Sequence, residues 1–342
     1  MQKVLKPMKI SLKDVAKQAG VSEATVSLAL NNRPGVNPQT QKRIQELAKS
    51  MGYIPSITAQ TLAKQKSGLV GFILPNTSNS TYSLLVQLIE DQLRQRGYKM
   101  IFVTSENHVE YEKEMIEQFV SFRTEGVIIY PIVQENPDPS YVNILNQYKI
   151  PFVFLGGYYK GIEASCVMSD YYTALYSATK HLYERGGRHF YYIGGCRTIV
   201  SNTMRYEGLR DYLRSQGIDF LPQMYLELPI PDYDHAYEAC NRLLDSGALV
   251  DSIITANDFV GLAVYNSVTE HGYRVPQDLS IITFNRQIPE GISRISLTYI
   301  EQFIKQQADI ALEYLFLQMN GEKDIRRKYL DTELIVREST VL

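Results

Sequence analysis

The sequence predicts an α/β protein with two parts, an N-terminal three-helix domain of the helix-turn-helix type and a two-lobed body of doubly wound parallel sheets. Two observations predict this fold class. Short capped helices surround a glycine turn near the N-terminus, and from Gly68 onward short apolar runs alternate with amphipathic helical stretches. Such alternation is typical of parallel sheets with helices on both faces. With 342 residues, the chain has room for two or three domains.

Capping residues place three helices in the N-terminal domain. Ser11 begins the first helix, with Asp14 three residues on as its capping-box partner. Gly20 can adopt the left-handed conformation that ends this helix, and Ser22 caps the next one. Asn37, followed by a proline in the first turn, begins the third helix. The apolar positions expected to close the core between these helices are Val15, Ala16, Ala19, Val26, Ala29, Leu30, Ile44, Leu47, Ala48 and Met51.

Charge is divided unevenly along the chain. Residues 1–66 hold 11 Lys and Arg against 3 Asp and Glu, a balance of +8, and the remainder holds 24 against 34, a balance of -10. A basic head on an acidic body suits a head that meets a polyanion. A solvated lysine-rich tail would explain the charge equally well, so the motifs have to decide.

The spacing of helix, glycine turn and capped helix favours a helix-turn-helix over a mere three-helix bundle. Its motifs are K-D-V-A, A-G-V-S, A-T-V-S, L-N-N and G-Y-I-P, and the chain later ends in ELIVREST. On these motifs the sequence closely resembles the LacI/GalR family of bacterial transcription regulators, across nearly the whole chain. The resemblance implies that the head binds double-stranded operator DNA.

The resemblance assigns DNA contacts residue by residue. The positions that match phosphate contacts, or in the first case add to them, are Ser11, Ser22, Thr25, Asn31 and Asn37. The positions that match base contacts are Glu23, Ala24 and Leu28. Many relatives have arginine where Leu28 stands, and leucine can only touch a thymine methyl or fill space. Glu23 could accept a hydrogen bond from a cytosine amino group, or it could simply favour the helix dipole.

Residues 56–66 are expected to join the head to the body. Ser56 can cap a short helix, but the segment has little core to bury and would be marginal alone, so a flexible linker is the competing interpretation. In the family this segment folds when two copies pair on the operator, and a leucine then enters the minor groove. Leu62 matches that wedge, Ala59 lies one turn earlier, and Ser56 and Gln60 depart from the usual residues.

Eight apolar runs predict the strands of the body, residues 67–342. They are GLVGFILP, YKMIFVTS, EGVIIYP and IPFVFLGG in a first set, and RHFYYIGG, MYLELPI, DSIITAND and LSIITFN in a second. The first lobe is expected at about 67–168 and 299–327, and the second at about 169–298 and 328–342. This pattern resembles a periplasmic binding protein. A ligand cleft is then expected where the carboxyl ends of the strands converge.

Polar and aromatic residues at strand ends are the candidates for the cleft. They are Asn76, Tyr82, Tyr130, Tyr158, Asp170, Arg205, Asn257 and Asn285, with Tyr159 and Tyr233 nearby. Arg205 matches the arginine that grips effector polar groups in the family, whereas Asn285 and the pair Gly156-Gly157 stand where aspartate is frequent. For each residue alone, a structural role is as easily expected as a ligand contact, and Asn257 could merely cap a helix. The substitutions predict a less acidic, wider cleft for an effector larger than one sugar ring.

Enzymatic functions find no support in the sequence. The chain has no G-x-G-x-x-G after a strand, no G-x-x-x-x-G-K-[ST] and no G-x-S-x-G. Its five histidines show no metal-ligand spacing, and its three cysteines show no C-x-x-C. We therefore expect no cofactor and no metal. The chain has neither a signal peptide nor an apolar run long enough to cross a bilayer, so we expect a cytoplasmic protein, nucleoid-associated when bound to DNA.

The sequence as a whole predicts a regulator, in the first instance a repressor. It is expected to act as a homodimer on a near-palindromic operator, because two-fold pairing matches two half-sites. A small-molecule effector, a sugar or sugar derivative, is expected to bind between the lobes. The alternatives are control by a corepressor or a phosphoprotein partner, or a ligand receptor whose head binds a partner other than DNA.

Overall fold

The computed structural model describes residues 10–54, 66–77, 79–135, 138–285 and 295–341. The chain divides into two compact units between Gly68 and Leu69. We call the first unit the head and the second the body. Residues 56–65, with the hinge candidates Ser56, Ala59 and Leu62, lie outside the described residues.

Three helices build the described part of the head: α1 (Leu12–Ala19), α2 (Glu23–Leu30) and α3 (Pro38–Ser50). Their caps confirm the boundaries predicted from the sequence. The Oγ of Ser11 accepts a hydrogen bond from the N–H of Asp14 at 3.3 Å, and Asp14 Oδ2 accepts one from Ser11 N–H at 2.8 Å.

The turn between α1 and α2 also follows the prediction. Gly20 has φ 69°, a left-handed conformation, and Ser22 caps α2 by accepting a hydrogen bond from the N–H of Thr25 at 3.1 Å. The head core is confirmed as well, because its fully buried members are all among the predicted residues. They are Val15, Ala16, Ala19, Val26, Ala29, Ile44 and Ala48.

The body alternates strands and helices along the chain. Its strands are β1 (Leu69–Leu74), β2 (Lys99–Thr104), β3 (Gly126–Ile129), β4 (Phe152–Leu155), β5 (Ser165–Ser169), β6 (Phe190–Gly194), β7 (Tyr225–Glu227), β8 (Ser252–Thr255), β9 (Ser280–Phe284), β10 (Thr298–Glu301), β11 (Arg327–Leu330) and β12 (Glu333–Ile335). Its α-helices are α4 (Ser80–Gln95), α5 (Val109–Ser121), α6 (Ile144–Gln147), α7 (Tyr171–Glu184), α8 (Val200–Ser215), α9 (Tyr233–Asp245), α10 (Asp258–Glu270) and α11 (Ile304–Met319).

The strands form two sheets, one for each lobe. The first lobe has the order β11-β5-β4-β3-β1-β2, and every neighbouring pair in it is parallel. The second lobe has the order β12-β10-β9-β8-β6-β7, which is parallel except for the β10–β12 pair. The central strands β1, β3 and β4 are buried throughout, which explains their continuous apolar runs.

Each sheet contains two strands more than its set of apolar runs indicates. The additional strands are β5 and β11 in the first sheet and β10 and β12 in the second. β11 is an edge strand whose Arg327 and Lys328 are exposed, so no apolar run marks it. These strands come from the segments where the chain passes from one lobe to the other.

The lobe boundaries differ by a few residues from those expected. Residues 299–301 belong to the second sheet, because Tyr299 pairs with Thr283 of β9. Residues 328–330 belong to the first sheet, because Lys328 pairs with Val167 of β5. Backbone pairing at the sheet edge decides both places, and a hydrophobic pattern does not record it. Among the described residues, no helix is long and apolar enough to cross a bilayer.

Candidate functional site

The start of α2 is the candidate DNA-reading surface of the head. Ser22, Glu23 and Ala24 are exposed at this end of the helix. Leu28, one turn further on, is half-buried, and its Cδ1 would lie 3.7 Å from a Cβ on Gly35. The helix therefore offers a short, nearly neutral surface in which Glu23 is the one charged residue of the first turn.

The candidate phosphate contacts also have local roles in the head. The hydroxyls of Ser22 and Thr25 lie 2.8 Å apart. Asn31 Nδ2 donates to the carbonyl of Ser27 at 2.8 Å, and Asn37 Oδ1 accepts from the N–H of Gln39 at 2.9 Å. With exposed Ser11, the five residues are fixed at helix ends or in the first turn, so each presents its polar group in a defined direction.

A cavity of about 300 Å³ lies between the two lobes of the body. Its walls come from strand ends of both lobes, as expected for this fold. Five of the predicted cleft residues line it, with Tyr159 beside them. The five are Tyr82, Tyr130, Tyr158, Arg205 and Asn257.

The other three candidates lie elsewhere. Asn76 lines an adjoining cavity of about 220 Å³. Asp170 caps α7, since its carboxylate accepts hydrogen bonds from the N–H and the hydroxyl of Thr173 at 3.0 and 2.7 Å. Asn285 is buried and donates to Thr81 Oγ1 at 3.0 Å. Asp170 and Asn285 are not among the lining residues of the cavity. The Asp170 bonds stabilise its own helix, and the Asn285 bond joins the second lobe to the first.

Arg205 is the most constrained cation of the cavity wall. Its guanidinium lies between two aromatic rings, 4.4 Å from the centroid of Tyr171 and 4.3 Å from that of Phe284. Nη1 donates to Asn202 Oδ1 at 3.0 Å and to Tyr192 Oη at 3.3 Å. Nε is buried and has no hydrogen-bond partner within the described part of the chain. Stacking and two neutral acceptors thus hold the fork in place and leave donors for a ligand.

Two tyrosines form another part of the wall. The rings of Tyr82 and Tyr130 meet edge to face with centroids 4.8 Å apart. Burial raises the pKa of both hydroxyls, so they remain protonated at neutral pH and can donate hydrogen bonds. Gly156 has φ 73°, and a Cβ there would lie 2.2 Å from the Tyr130 ring. Glycine at 156 is therefore what allows Tyr130 to occupy this place.

A buried carboxyl group supports the cavity from behind, and the sequence reasoning missed it. Glu112 in the first turn of α5 is fully buried and accepts hydrogen bonds from Tyr159 Oη at 2.8 Å and Tyr141 Oη at 2.7 Å. Tyr159 Oη in turn accepts from the N–H of Ile132 at 2.9 Å. Burial raises the pKa of Glu112 to about 7, against the two tyrosine hydrogen bonds. This series of hydrogen bonds fixes the positions of two lining residues, Tyr159 and Ile132.

Several lining residues were also missed, and three polar ones follow β6. Thr198 lies in the loop after this strand, and Ser201 and Asn202 lie in the first turn of α8. Asn257 both lines it and caps α10, accepting from the N–H of Val260 at 2.9 Å, so the two interpretations of this residue are compatible. The same rule that selected Asn76 and Asn257, a polar residue after a predicted strand, would have found the β6 loop.

Direct hydrogen bonds join the lobes beside the cavity. Ser80 Oγ, in the first turn of α4, donates to the carboxylate of Asp258 at 3.1 Å. The Asn285–Thr81 bond likewise joins the second lobe to the first. Asn79 and Asn257, which precede Ser80 and Asp258 in the sequence, line the cavity. The hydrogen bonds between the lobes therefore lie directly beside the cavity wall. Among the described residues, no group of three His, Cys, Asp or Glu is placed to hold a metal ion.

Comparisons with known proteins agree with both halves of this arrangement. Residues 11–56 match the family of bacterial regulatory proteins, lacI family, and residues 179–340 match the periplasmic binding protein-like domain. Catabolite control protein A of Staphylococcus epidermidis is 28% identical over 316 residues, which cover 92% of this chain and 94% of that protein. The HTH-type transcriptional repressor PurR of Mannheimia succiniciproducens is 26% identical, covering 96% and 98%.

Solved structures show the same fold. The lac repressor dimer bound to operator and the anti-inducer ONPF superposes with a TM-score of 0.83 at 22% identity, covering 98% of this chain and 100% of that chain. The complex of transcriptional regulator CelR with cellobiose has a TM-score of 0.72 at 23% identity, covering 96% and 99%. The head and the two-lobed body therefore occur together in these proteins as they do here.

Proposed function

We propose, from the premise that this chain belongs to the lacI family of bacterial regulatory proteins, that ligand binding in its body controls the affinity of its head for one DNA operator. The chain is a DNA-binding transcriptional regulator, and its relatives over nearly the full length are regulators rather than enzymes. The observation that carries the proposal is the cavity of about 300 Å³ between the lobes, within the usual range for small-molecule sites.

The proposed DNA contacts follow from the placement of α2. A helix-turn-helix directs the N-terminal residues of its second helix at base edges, and Ser22, Glu23 and Ala24 are exposed there. We assign base contacts to Glu23, Ala24 and Leu28, and phosphate contacts to the fixed polar groups at the helix ends. These are Ser11, Ser22, Thr25, Asn31 and Asn37. The DNA target places the protein in the bacterial cytoplasm, at the nucleoid when it is bound to its operator.

The proposed effector is a sugar or sugar derivative. The wall combines tyrosine faces, which suit stacking on a sugar ring, with amides, hydroxyls and the fork of Arg205. The structural relative CelR is described as a cellobiose complex. Effector binding would lower operator affinity in a repressor, whereas a corepressor would raise it.

The proposed working form is a homodimer. A single three-helix head buries too little surface for tight, specific binding, and two heads related by two-fold symmetry match two half-sites of a near-palindromic operator. The lac repressor structure with the same fold is a dimer on its operator. Sedimentation of the full chain with a selected operator duplex checks this assembly. The expected complex contains two chains and one duplex.

The test of the proposal begins with DNA. Operator selection from a random library should yield a near-palindromic site, and binding to it should weaken steeply with salt. A head that selects no site, or binds all DNA equally, would contradict the proposed function and favour a non-DNA partner for the head.

The second half of the test separates the body from the head. Arg205→Ala should bind the selected operator with unchanged affinity but lose its response to the effector found by a thermal-shift screen of metabolites, because a ligand oxygen loses its donors. The expected loss of effector affinity is about 10-fold or more. Arg214→Ala, an exposed arginine on the same helix, is the control and should respond as the wild type does. Equal responses of both variants would show that the cavity does not bind the effector.

A further inference from the structure

Hydrogen-bond donors and positive charge dominate the Arg205 end of the cavity. Resting on the proposed function, in which the cavity holds the effector, we propose that the effector carries an oxyanion, a phosphate or carboxylate attached to a sugar, and that Arg205 and the first turn of α8 bind this group. Three features of the described residues support the inference independently. They are the charge environment of Arg205, the open end of α8, and the scarcity of carboxylates in the wall.

Arg205 has no anionic partner among the described residues. No carboxylate there forms an ion pair with it, whereas Arg210 of the same helix contacts Asp211. Its protein acceptors are a tyrosine hydroxyl and an amide oxygen, both neutral. A half-buried charge is costly without an opposite charge, and the two stacked rings offset only part of that cost. An oxyanion would complete the site, and a guanidinium binds it with two parallel hydrogen bonds.

The N-terminus of α8 lies in the same wall. Ile199, Val200 and Ser201 line the cavity, and no side chain caps the helix at Ile199. Thr203 N–H is bonded to the carbonyl of Ile199, so the N–H groups before it have no partner within the helix. The helix dipole adds partial positive charge at this end. Arg205 follows within about one turn, so the helix end and the guanidinium can bind one anion together.

Carboxylates, which bind sugar hydroxyls as charged acceptors, are scarce in this wall. Among the described lining residues, Glu135 is the one carboxylate and it is exposed, whereas Lys160 and Arg205 are cations. Gly156 cannot carry a carboxylate while Tyr130 stays in place, because any Cβ there would overlap the tyrosine ring. The hydroxyls of Thr198 and Ser201 can donate to an oxyanion as well as accept from a sugar hydroxyl. A wall with two cations and one exposed carboxylate favours a ligand that carries a negative charge.

Charge also predicts the orientation of the ligand. The adjoining cavity, which shares Tyr82 and Asn257 with the first, is lined by Asp232 and Asp234. These carboxylates would repel an anion and accept hydrogen bonds from sugar hydroxyls. The oxyanion therefore lies at Arg205, and the neutral sugar hydroxyls extend toward Tyr82 and the adjoining cavity.

The experiment compares sugars that differ only in the anionic group. The full-length protein is titrated calorimetrically with glucose, galactose and mannose, with their 6-phosphates, with the corresponding uronic acids, and with inorganic phosphate. At least one acidic sugar should bind 10-fold or more tightly than its neutral parent, and inorganic phosphate should compete with it. The phosphate and uronate arms distinguish the two sources of the oxyanion.

Matched charge variants at the exposed rim test the electrostatics without disturbing Arg205. Lys160→Gln should weaken binding of the acidic sugar about three-fold, because a cation near the ligand is lost, and should leave a neutral sugar unaffected. Glu135→Gln should leave the acidic sugar bound as tightly or more tightly. Raising the salt concentration should weaken binding of the acidic sugar and leave binding of the neutral sugar unchanged.

Each result decides the proposal. Neutral parents that bind as tightly as their acids, or a panel in which no acidic sugar binds, would overturn it. A neutral sugar that binds and changes operator affinity would overturn the oxyanion while keeping the proposed function. If the wild-type protein bound no operator, that result would count against the proposed function instead.

Discussion

Leu28 shows how one side chain limits what the head can read. It is half-buried against the turn at Gly35, and it has no hydrogen-bonding group. The backbone around it is an ordinary α-helix, so under the proposed function the operator preference depends on side-chain chemistry that the fold does not determine.

We expect Leu28→Arg to select operators with guanine at one position of each half-site, because an arginine fork can donate two hydrogen bonds to the O6 and N7 of guanine. Selection from a random DNA library measures the change. Leu28→Met, of similar length without donors, is the control and should keep the wild-type preference. If all three proteins select the same site, Leu28 does not face the bases.

Glu112 is a second residue with a role of its own, because its burial makes the stability of the body depend on pH. Burial raises its pKa to about 7, so between roughly pH 4.5 and 7 the folded body holds a proton that the unfolded chain has released. The unfolded state then binds fewer protons, and stability falls as pH rises through this range.

Glu112→Gln should remove this dependence, because an amide does not titrate. The stability of the variant relative to the wild type should increase by about 3 kcal/mol between pH 5 and pH 8. Urea unfolding of the body at both pH values measures it, and exposed Glu110→Gln on the same helix serves as the control. A difference between Glu112→Gln and wild type that stays constant with pH would show that Glu112 is not the responsible group.

At the scale of elements, the close packing of α7 against α8 positions the cavity wall. A Cβ on Gly208 of α8 would lie 2.2 Å from the carbonyl oxygen of Tyr172 in α7. This backbone cannot yield as a side chain could, so any larger residue must push the helices apart. Arg205 lies on the same helix, three residues earlier.

Gly208→Ala should therefore destabilise the body by about 2 kcal/mol and also weaken effector binding, because α8 carries Arg205 with it. Thermal unfolding and effector titration measure the two effects. Arg214→Ala, exposed on the same helix, should change stability by less than about 0.5 kcal/mol. A stable Gly208→Ala with normal effector affinity would mean that the helices separate at little cost.

At the scale of the whole body, hydrogen bonds between the lobes favour the arrangement of the lobes described here. Ser80 donates to the carboxylate of Asp258 at 3.1 Å, next to residues that line the cavity. If the effector binds the closed lobes, any bond between them contributes to effector affinity.

Ser80→Ala should raise the effector concentration needed for half of the operator response about five-fold, which corresponds to about 1 kcal/mol for one lost hydrogen bond. Ser83→Ala provides the control, since the hydroxyl of exposed Ser83 on the same helix donates to the carbonyl of Thr77 in its own lobe. Equal responses of the two variants would show that closure does not depend on the Ser80 bond.

Elements whose causes are local could be predicted from the sequence. Caps at Ser11, Ser22 and Asn37 and the left-handed Gly20 are set by neighbouring residues, so the three described helices of the head could be predicted with their ends. Buried parallel strands appear as apolar runs, and four lining residues of the cavity were predicted from their places near strand ends, whereas Arg205 was predicted from the family resemblance.

Features that depend on distant partners could not be predicted from the sequence. Strands β10 and β11 exist through backbone pairing with β9 and β5, which an apolar pattern does not reveal. Asn285 and Asp170 follow strands as several lining residues do, yet their side chains hydrogen-bond to other residues of the protein. The end of a strand determines the position of the backbone, but it does not determine which neighbour the side chain contacts. Glu112 lies far from its partner Tyr159 in the chain, and only folding buries the two together behind the cavity.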